Sequence, residues 1–288
     1  MIALLFGLVA ALCWSVHDLV ARLYAPSIGP FRVAFWVVVS GAVLLSAIIL
    51  WRGHIWQADS HSIFLALAMG VIYAGALGGL LKAFSLAPVS IVGPFTAGYP
   101  ALVVVWGFFH GLVPTPLQWL AVILIILGAV IVGRAGPSDG GLAAVPQGKV
   151  PVVIGSCVVA VLGFAVAVVL GQAATPGLGE YETTFVSRLP AAAILAVLMM
   201  RERSEVSSLS PKQWLAAASM GAMDVVAVTS INVSAFYPGK ELGVMAISGY
   251  GALAALLAML FLKEHVAWGQ WLGIVMIAVG VCIIGWPA

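Results

Sequence analysis

The chain has 288 residues, of which 63% are hydrophobic and 8% are charged, and its mean hydropathy is +1.17. Such a composition exceeds what the core of a soluble domain of this size needs, so it excludes an ordinary soluble globular protein. The net charge is only +2, and no basic stretch alternates with aromatic residues, so we expect no nucleic acid partner. These features predict an integral membrane protein whose main partner is the lipid bilayer.

Ten apolar stretches approach the roughly 20 residues that a helix needs to cross a bilayer. Five lie before a polar connector and five lie after it. The predicted spans are 1–21, 29–50, 61–84, 88–110, 116–133, 150–172, 182–200, 211–236, 240–262 and 267–286. The predicted fold class is therefore an all-α integral membrane protein with ten transmembrane helices.

The two halves of the chain share residues in the same order. The segment Gln118-Trp119-Leu120 recurs 152 positions later as Gln270-Trp271-Leu272. At a shift of 151, Gly70 matches Gly221, Gly98-Tyr99 matches Gly249-Tyr250, and Ala101-Leu102 matches Ala252-Leu253. Because five is an odd number of spans, the second half enters the membrane in the opposite sense. We therefore predict two inverted five-helix repeats, 1–134 and 150–288, joined by a connector over 135–149.

Positive charges are unevenly distributed between the two sets of loops. Those that hold or border the loops after odd-numbered spans are Arg22, Arg32, Lys82, Arg134, Lys149, Arg201, Arg203, Lys212 and Lys263. The other side has little beyond Arg52 and Lys240. The positive-inside rule then predicts cytoplasmic odd-numbered loops and both termini outside.

Several short motifs resemble a known family over nearly the whole chain. They are Cys13-Trp14-Ser15, Arg32, Ala83-Phe84-Ser85-Leu86-Ala87-Pro88, Leu262-Lys263-Glu264 and Gln270-Trp271-Leu272-Gly273. In this order they resemble the drug/metabolite transporter superfamily, specifically its ten-span EamA-type members. The resemblance implies a multi-pass protein of the bacterial inner membrane, with cytoplasmic termini, which is opposite to the orientation that the charges predict.

The chain departs from this family at two places. Many members carry Glu-Pro midway along the fourth and ninth spans, where this chain has Tyr99-Pro100 and Tyr250-Gly251. A proton-coupling role of those glutamates is therefore not transferred. Tyr99 and Tyr250 are instead candidates for substrate binding across a central cavity, with symmetric packing as the alternative. Pro94 and Pro100 predict a kinked fourth span that lines the cavity, because proline removes backbone hydrogen bonds.

Asp224 is the carboxylate at mid-depth, in the eighth predicted span. An acid at this depth is costly unless it is functional or paired, so it is our candidate for proton coupling. The alternative is a structural acid that a neighbour such as Arg188 neutralises. Both residues are retained as a coupling or gating pair.

The first predicted span carries Trp14, and two polar residues, His17 and Asp18, follow it in the last turns of that span. Trp14 and His17 are candidates for substrate binding, whereas Asp18 and Lys82 are candidates for an ionic gate near the same face of the bilayer. Interfacial charges that extend toward the headgroups are the alternative, particularly for Lys82. Two hydrogen-bonding residues, Asn232 and Ser248, are further substrate candidates, although such side chains also bridge membrane helices.

The function predicted from these features is secondary active transport of a small metabolite by alternating access, with possible proton coupling. Few fixed charges beside aromatic residues favour an amino acid or a similar amphipathic solute. The chain lacks a G-x-x-x-x-G-K-[ST] loop, HExxH and GxSxG, so we expect no ATP-driven pump, no enzyme and no cofactor. Its cysteines lack metal-ligand spacing, so we expect no metal site. An intramembrane enzyme, a passive channel and a lipid flippase remain alternatives, as do a monomer and a homodimer.

Overall fold

The computed structural model of the chain describes residues 2–53, 58–134, 145–202, 209–264, 266 and 268–284. All regular secondary structure within these residues is helical. Residues 135–144 of the predicted connector lie outside the described part, as do Arg203 and residues 285–286 of the last predicted span.

Twelve α-helices occur in the described residues, six in each half of the chain. They are α1 (Ile2–Ile28), α2 (Pro30–Arg52), α3 (Ser60–Leu86), α4 (Val89–Thr96), α5 (Tyr99–Phe109), α6 (Pro116–Arg134), α7 (Val150–Leu178), α8 (Glu180–Arg201), α9 (Pro211–Ser234), α10 (Lys240–Met245), α11 (Gly249–Leu257) and α12 (Trp268–Ile284). A 3₁₀ turn at Ala246–Ser248 precedes α11, and a π-helical turn at Ala258–Leu262 follows it.

Eight helical stretches in the described residues are long and apolar enough to cross a membrane. They are Ile2–Ile28, Pro30–Arg52, Ser60–Leu86, Val89–Phe109, Gln147–Leu178, Glu180–Arg201, Pro211–Ser234 and Gly243–Leu262. Two shorter apolar helices cover Pro116–Gly128 and Trp268–Ile283. The chain is therefore an integral, multi-pass membrane protein.

The first helix is longer than the sequence predicts. Hydropathy ends the first span at residue 21, but α1 continues to Ile28 because Ala25 is buried against other helices. The polar Arg22 side chain has partners there, since it donates to the Phe84 carbonyl oxygen at 2.8 Å. Gly29 then ends the helix with φ of 105°, a conformation that glycine adopts without strain.

The fourth predicted span is interrupted near its middle. It consists of α4 and α5, with Ala97 and Gly98 between them. Pro94 lies within α4 and Pro100 lies in the first turn of α5, so neither supplies an amide hydrogen to the helix. The hydroxyl of Thr96 donates to the Val92 carbonyl oxygen at 2.8 Å beside this break.

The helices near the centre of the bundle come from both halves of the chain. The helix α3 packs against α7 and α8, α1 packs against α9, and α2 packs against α8 and α9. The helices α6 and α12 pack against each other at the side of this bundle. Each of these main contacts joins a helix of the first half to a helix of the second half.

Glycines bring the backbones of these helices close together, as is common in membrane bundles. At Gly70 of α3, an added methyl group would contact the carbonyl oxygen of Ser187 in α8. At Gly221 of α9, it would lie 2.7 Å from the carbonyl oxygen of Val37 in α2. The same kind of close contact therefore occurs at two positions 151 residues apart.

Helix starts carry the caps that their sequences predict. The Ser210 hydroxyl accepts from the Gln213 amide, and the Gln213 side chain accepts from the Ser210 amide, which forms a capping box. Thr115 and Gln118 form the same reciprocal pair at 3.3 and 2.8 Å. At the start of α3, the hydrogen bond from the Ser62 amide lowers the pKa of the Asp59 carboxyl group.

We predict that Gly70→Ala destabilises the protein, whereas Gly75→Ala in the same helix does not. The Gly70 methyl group would overlap the α8 backbone, and overpacking of this kind costs about 1–3 kcal/mol. An added methyl group at the exposed Gly75 meets no atom within 4 Å, and alanine is the better helix former. Thermal unfolding of the purified variants measures the difference, and equal melting temperatures would contradict the packing described.

Candidate functional site

Asp224 lies at the centre of a buried cluster that joins four helices. Its Oδ1 accepts a hydrogen bond from the Tyr73 hydroxyl at 2.6 Å and another from Trp14 Nε1 at 3.1 Å. Its Oδ2 lies 2.6 Å from Nη2 of Arg188, and both ionic side chains are about 1% exposed. The carboxylate therefore connects α1 and α3 of the first half to α8 and α9 of the second.

The charges in this cluster offset each other. An isolated charge at this depth is costly, and a close partner with further hydrogen bonds is what makes it tolerable. Arg188 supplies the opposite charge to Asp224, and its guanidinium carbon lies 4.7 Å from the centre of the Tyr73 ring. Two hydrogen-bond donors complete the surroundings of the carboxylate. The neutralised pair considered from the sequence is thus the geometry observed.

Two cavities adjoin this cluster. The first, called here the His17 cavity, is lined by Trp14, His17, Asp18, Tyr73, Leu77, Leu80, Tyr99, Phe164, Asp224 and Tyr250. The second, called the Asn232 cavity, is lined by Trp14, Met69, Tyr73, Phe164, Ala167, Val168, Val228, Ile231 and Asn232. Three aromatic residues, Trp14, Tyr73 and Phe164, belong to both linings and form the layer between the cavities.

Lining residues of the two cavities are related by a nearly constant spacing along the chain. His17 and Asp18 lie 150 residues before Ala167 and Val168, and Leu77 and Leu80 lie 151 residues before Val228 and Ile231. In the shared layer, Trp14 lies 150 residues before Phe164. Tyr73, likewise in that layer, lies 151 residues before Asp224, to which it donates. Residues related by this spacing are called corresponding positions below.

The correspondence concerns position and not polarity. The His17 cavity contains an imidazole and a carboxylate where the Asn232 cavity contains Ala167 and Val168. His17 Nδ1 lies 3.0 Å from Asp18 Oδ1, and each residue is 1% exposed. The remaining atoms of this pair, His17 Nε2 and Asp18 Oδ2, are buried and have no hydrogen-bond partner. A ligand with a hydrogen-bond donor or a positive charge would satisfy the carboxylate.

Aromatic rings enclose the same space. The ring of Trp14 lies 6.2 Å from the rings of both Tyr99 and Tyr250, in edge-to-face contacts. The Tyr250 hydroxyl is 2.5 Å from Thr96 Oγ1, whereas the Tyr99 hydroxyl is buried without a partner. The two tyrosines therefore differ in how much of their hydrogen-bonding capacity is still available.

The Asn232 cavity has a neutral polar margin. Asn232 Nδ2 donates to Thr184 Oγ1 at 3.0 Å, and its Oδ1 is buried without a partner. Nearby, Gln172 Nε2 donates to the Ser234 hydroxyl at 3.0 Å. These contacts join α7, α8 and α9, so Asn232 both bridges helices and leaves one acceptor free.

The structure brings most of the predicted site residues together. Six of them, Trp14, His17, Asp18, Tyr99, Asp224 and Tyr250, line the His17 cavity, and Asn232 lines the other. Arg188 contacts Asp224 behind this lining, while Pro94 and Pro100 flank the break beside Tyr99.

One expectation needs correction. His17 and Asp18 lie in the middle of α1 and not in its last turns, because the helix continues to Ile28. In the described residues Asp18 pairs with His17 and forms no ion pair with Lys82, so the ionic gate between Asp18 and Lys82 stays a prediction. Ser248 is buried but belongs to neither cavity lining.

Sequence reasoning missed Tyr73 and Phe164. Both are common residues in apolar stretches, so nothing local distinguishes them from core residues. The repeat shift of 151 was an available signal for Tyr73, because it relates Tyr73 to Asp224. The same shift relates Trp14 to Ala165, so it would not have found Phe164.

We predict that Arg188→Met destabilises the protein more than the double variant Arg188→Met/Asp224→Asn. The single change leaves an uncompensated buried carboxylate, which costs about 3–5 kcal/mol, whereas the double change removes both charges. Thermal unfolding of the wild type, both single variants and the double variant gives the coupling energy. Additive effects of the two changes would contradict the ion pair as the central contact.

Comparison with known proteins was informative for the family and for the fold. No curated protein matches the chain. A solved structure, titled only as the crystal structure of a protein, superposes with a TM-score of 0.74 over 98% of this chain and 95% of its own, at 19% sequence identity. Likeness at this identity concerns the fold alone.

The family model of the EamA-like transporter family matches residues 1–134 and 152–286. These two segments cover nearly the whole chain, including every residue that lines the two cavities. The chain therefore belongs to the EamA-like transporter family.

Proposed function

We propose that this protein is a secondary active transporter that moves a small solute across the membrane by alternating access. Its architecture in this proposal is ten spans in two inverted five-helix repeats, 1–134 and 150–288, with the connector at 135–149. The bacterial inner membrane is the proposed location. An amino acid or a similar amphipathic metabolite is the proposed substrate.

One observation carries this function: two cavities lined by corresponding positions meet at a shared aromatic layer. Alternating access requires a central site that is reached from one side and then from the other, usually by movement of one repeat against its counterpart. Each cavity is suited to be one half of that path. The layer of Trp14, Tyr73 and Phe164 would then separate the two paths.

Further observations support the inverted repeat. The family model matches two segments of similar length, 1–134 and 152–286. Gly29 and Gly179, which are 150 residues apart, both end a long helix with positive φ, at 105° and 95°. Gly70 and Gly221 make corresponding close contacts with α8 and α2.

The residues divide into two roles in this function. The aromatic and polar lining, from Trp14, His17, Tyr99, Tyr250 and Asn232, contacts the substrate. The ion pair of Asp224 with Arg188 holds the two halves together, so it must rearrange when they move. Separation of this pair would free Asp224 to take up a proton, which is how proton coupling enters the cycle.

We predict that the purified protein in liposomes catalyses saturable counterflow of one member of a panel of amino acids and other small metabolites. Trp14→Ala should raise the concentration for half-maximal exchange about 10-fold, because it removes a ring from the site. Trp106→Ala is the matched control, since Trp106 is half exposed and lines neither cavity. Passive, non-saturable flux without counterflow would indicate a channel and contradict the proposed carrier.

We predict that Asp224→Asn retains exchange but loses accumulation driven by a pH gradient. The amide oxygen can still accept the hydrogen bonds of Trp14 and Tyr73, but the amide cannot carry the transported proton and leaves Arg188 without its counter-ion. Uptake and counterflow are measured in the same liposomes, and thermal unfolding checks that the variant is folded. Accumulation equal to that of the wild type would show that Asp224 is structural and that coupling runs elsewhere.

A further inference from the structure

We propose that the His17 cavity binds the ammonium group of a small organic monocation, with the Asp18 carboxylate as its counter-ion. This assignment rests on the proposed transport function and specifies the substrate class. The residues that carry it are Trp14, Asp18, Tyr99 and Tyr250 together with the charge balance of the buried centre.

The charge balance leaves one acid in the cavity without a permanent partner. Asp224 is offset by Arg188 at 2.6 Å. Asp18 has only His17 beside it, through Oδ1 at 3.0 Å, and an imidazole supplies a positive charge only when it is protonated. An uncompensated carboxylate within a membrane is costly, so the cavity is most stable when a positive charge is added to it.

The side chains that face Asp18 from other helices do not supply this positive charge themselves. They come from four other elements and are Tyr73 on α3, Tyr99 on α5, Asp224 on α9 and Tyr250 on α11. None of these side chains is a cation. Asp18 Oδ2 is buried without a hydrogen-bond partner, so one carboxylate oxygen is left to receive a ligand donor.

The aromatic enclosure favours an organic cation over a bare metal ion. Trp14 lies 6.2 Å from both Tyr99 and Tyr250, and Tyr99 lies 5.8 Å from Phe164, so rings surround the space from several directions. Aromatic faces attract ammonium groups and also contact their alkyl substituents. The free space within this lining is small, which limits the ligand to a compact cation.

Only the His17 cavity has Asp18 in its lining, so we expect the cation to bind in that cavity and not in the Asn232 cavity. Val168 of the Asn232 cavity occupies the position that corresponds to Asp18, and Ala167 corresponds to His17. The Asn232 cavity therefore offers a neutral path without a counter-ion. A cation would be held on one side of the aromatic layer and released through the other.

The test compares cations with uncharged molecules of the same shape. Choline is titrated into the purified protein, and 3,3-dimethylbutan-1-ol, in which carbon replaces the charged nitrogen, is titrated separately. Tetramethylammonium is compared in the same way with the neutral alcohol 2,2-dimethylpropan-1-ol. Calorimetry is expected to show saturable binding of the cations at least about 10-fold tighter than binding of their neutral isosteres. Equal binding, or no saturable binding of either cation, would overturn the assignment.

Variants at Asp18 and at a control position outside both cavities locate the binding. Asp18→Asn should weaken choline binding about 10-fold or more, because it removes the counter-ion. Asp18→Glu should retain binding, which keeps the test informative if the amide variant does not fold. Val166→Asn is the control, because Val166 is exposed on α7 and lines neither cavity, and this variant should bind as the wild type does. Unchanged affinity in Asp18→Asn would overturn the assignment.

Counterflow in liposomes separates this assignment from the proposed function. Saturable counterflow of an uncharged or anionic solute that Asp18→Asn leaves unchanged would keep the carrier and reject the cation site. Counterflow of an organic cation that Asp18→Asn abolishes would support both. Choline binding without counterflow of any cation would support the site and reject the carrier.

Discussion

The contact on which the rest of the centre depends is the ion pair between Arg188 and Asp224. Neither charge is tolerable alone at 1% exposure, so the two helices that carry them are held in one relative position. Asp224 also accepts hydrogen bonds from Trp14 and Tyr73, which fixes the aromatic layer that borders both cavities. A single buried carboxylate thus joins both halves of the chain and orients the residues between the cavities.

The second feature of this centre is that residues at a nearly constant spacing line its two cavities, while the two linings differ in polarity. Residues 150 or 151 positions apart line the two cavities, yet the polar pair of His17 and Asp18 has Ala167 and Val168 as its counterparts. In the proposed transport cycle the two cavities serve as two paths, and the side chains make only one of them acidic. Family membership gives the transporter architecture. The difference in polarity between the cavities is what directs the proposed substrate class toward organic cations.

Some residues of the candidate site could be predicted from the sequence and others could not, and the physical reason differs between residues. Asp224, Arg188, His17 and Asp18 are conspicuous because polar groups in apolar stretches are costly and need a partner or a function. Tyr73 carries no such signal, since an aromatic residue in a membrane helix is common. Which of these residues meet depends on helix packing: Asp18 pairs with His17, and in the described residues no ion pair joins it to Lys82.

The sequence by itself determined that the chain is helical, membrane-embedded and similar in its two halves, because hydropathy, helix caps and residue spacing are local properties. It also supplied the candidates Trp14, Tyr99 and Tyr250. Only the tertiary structure decided that α1 continues to Ile28, that Arg188 reaches Asp224, and that corresponding positions line two separate cavities. Those features arise where helices from both halves pack together, and no single stretch of sequence contains that information.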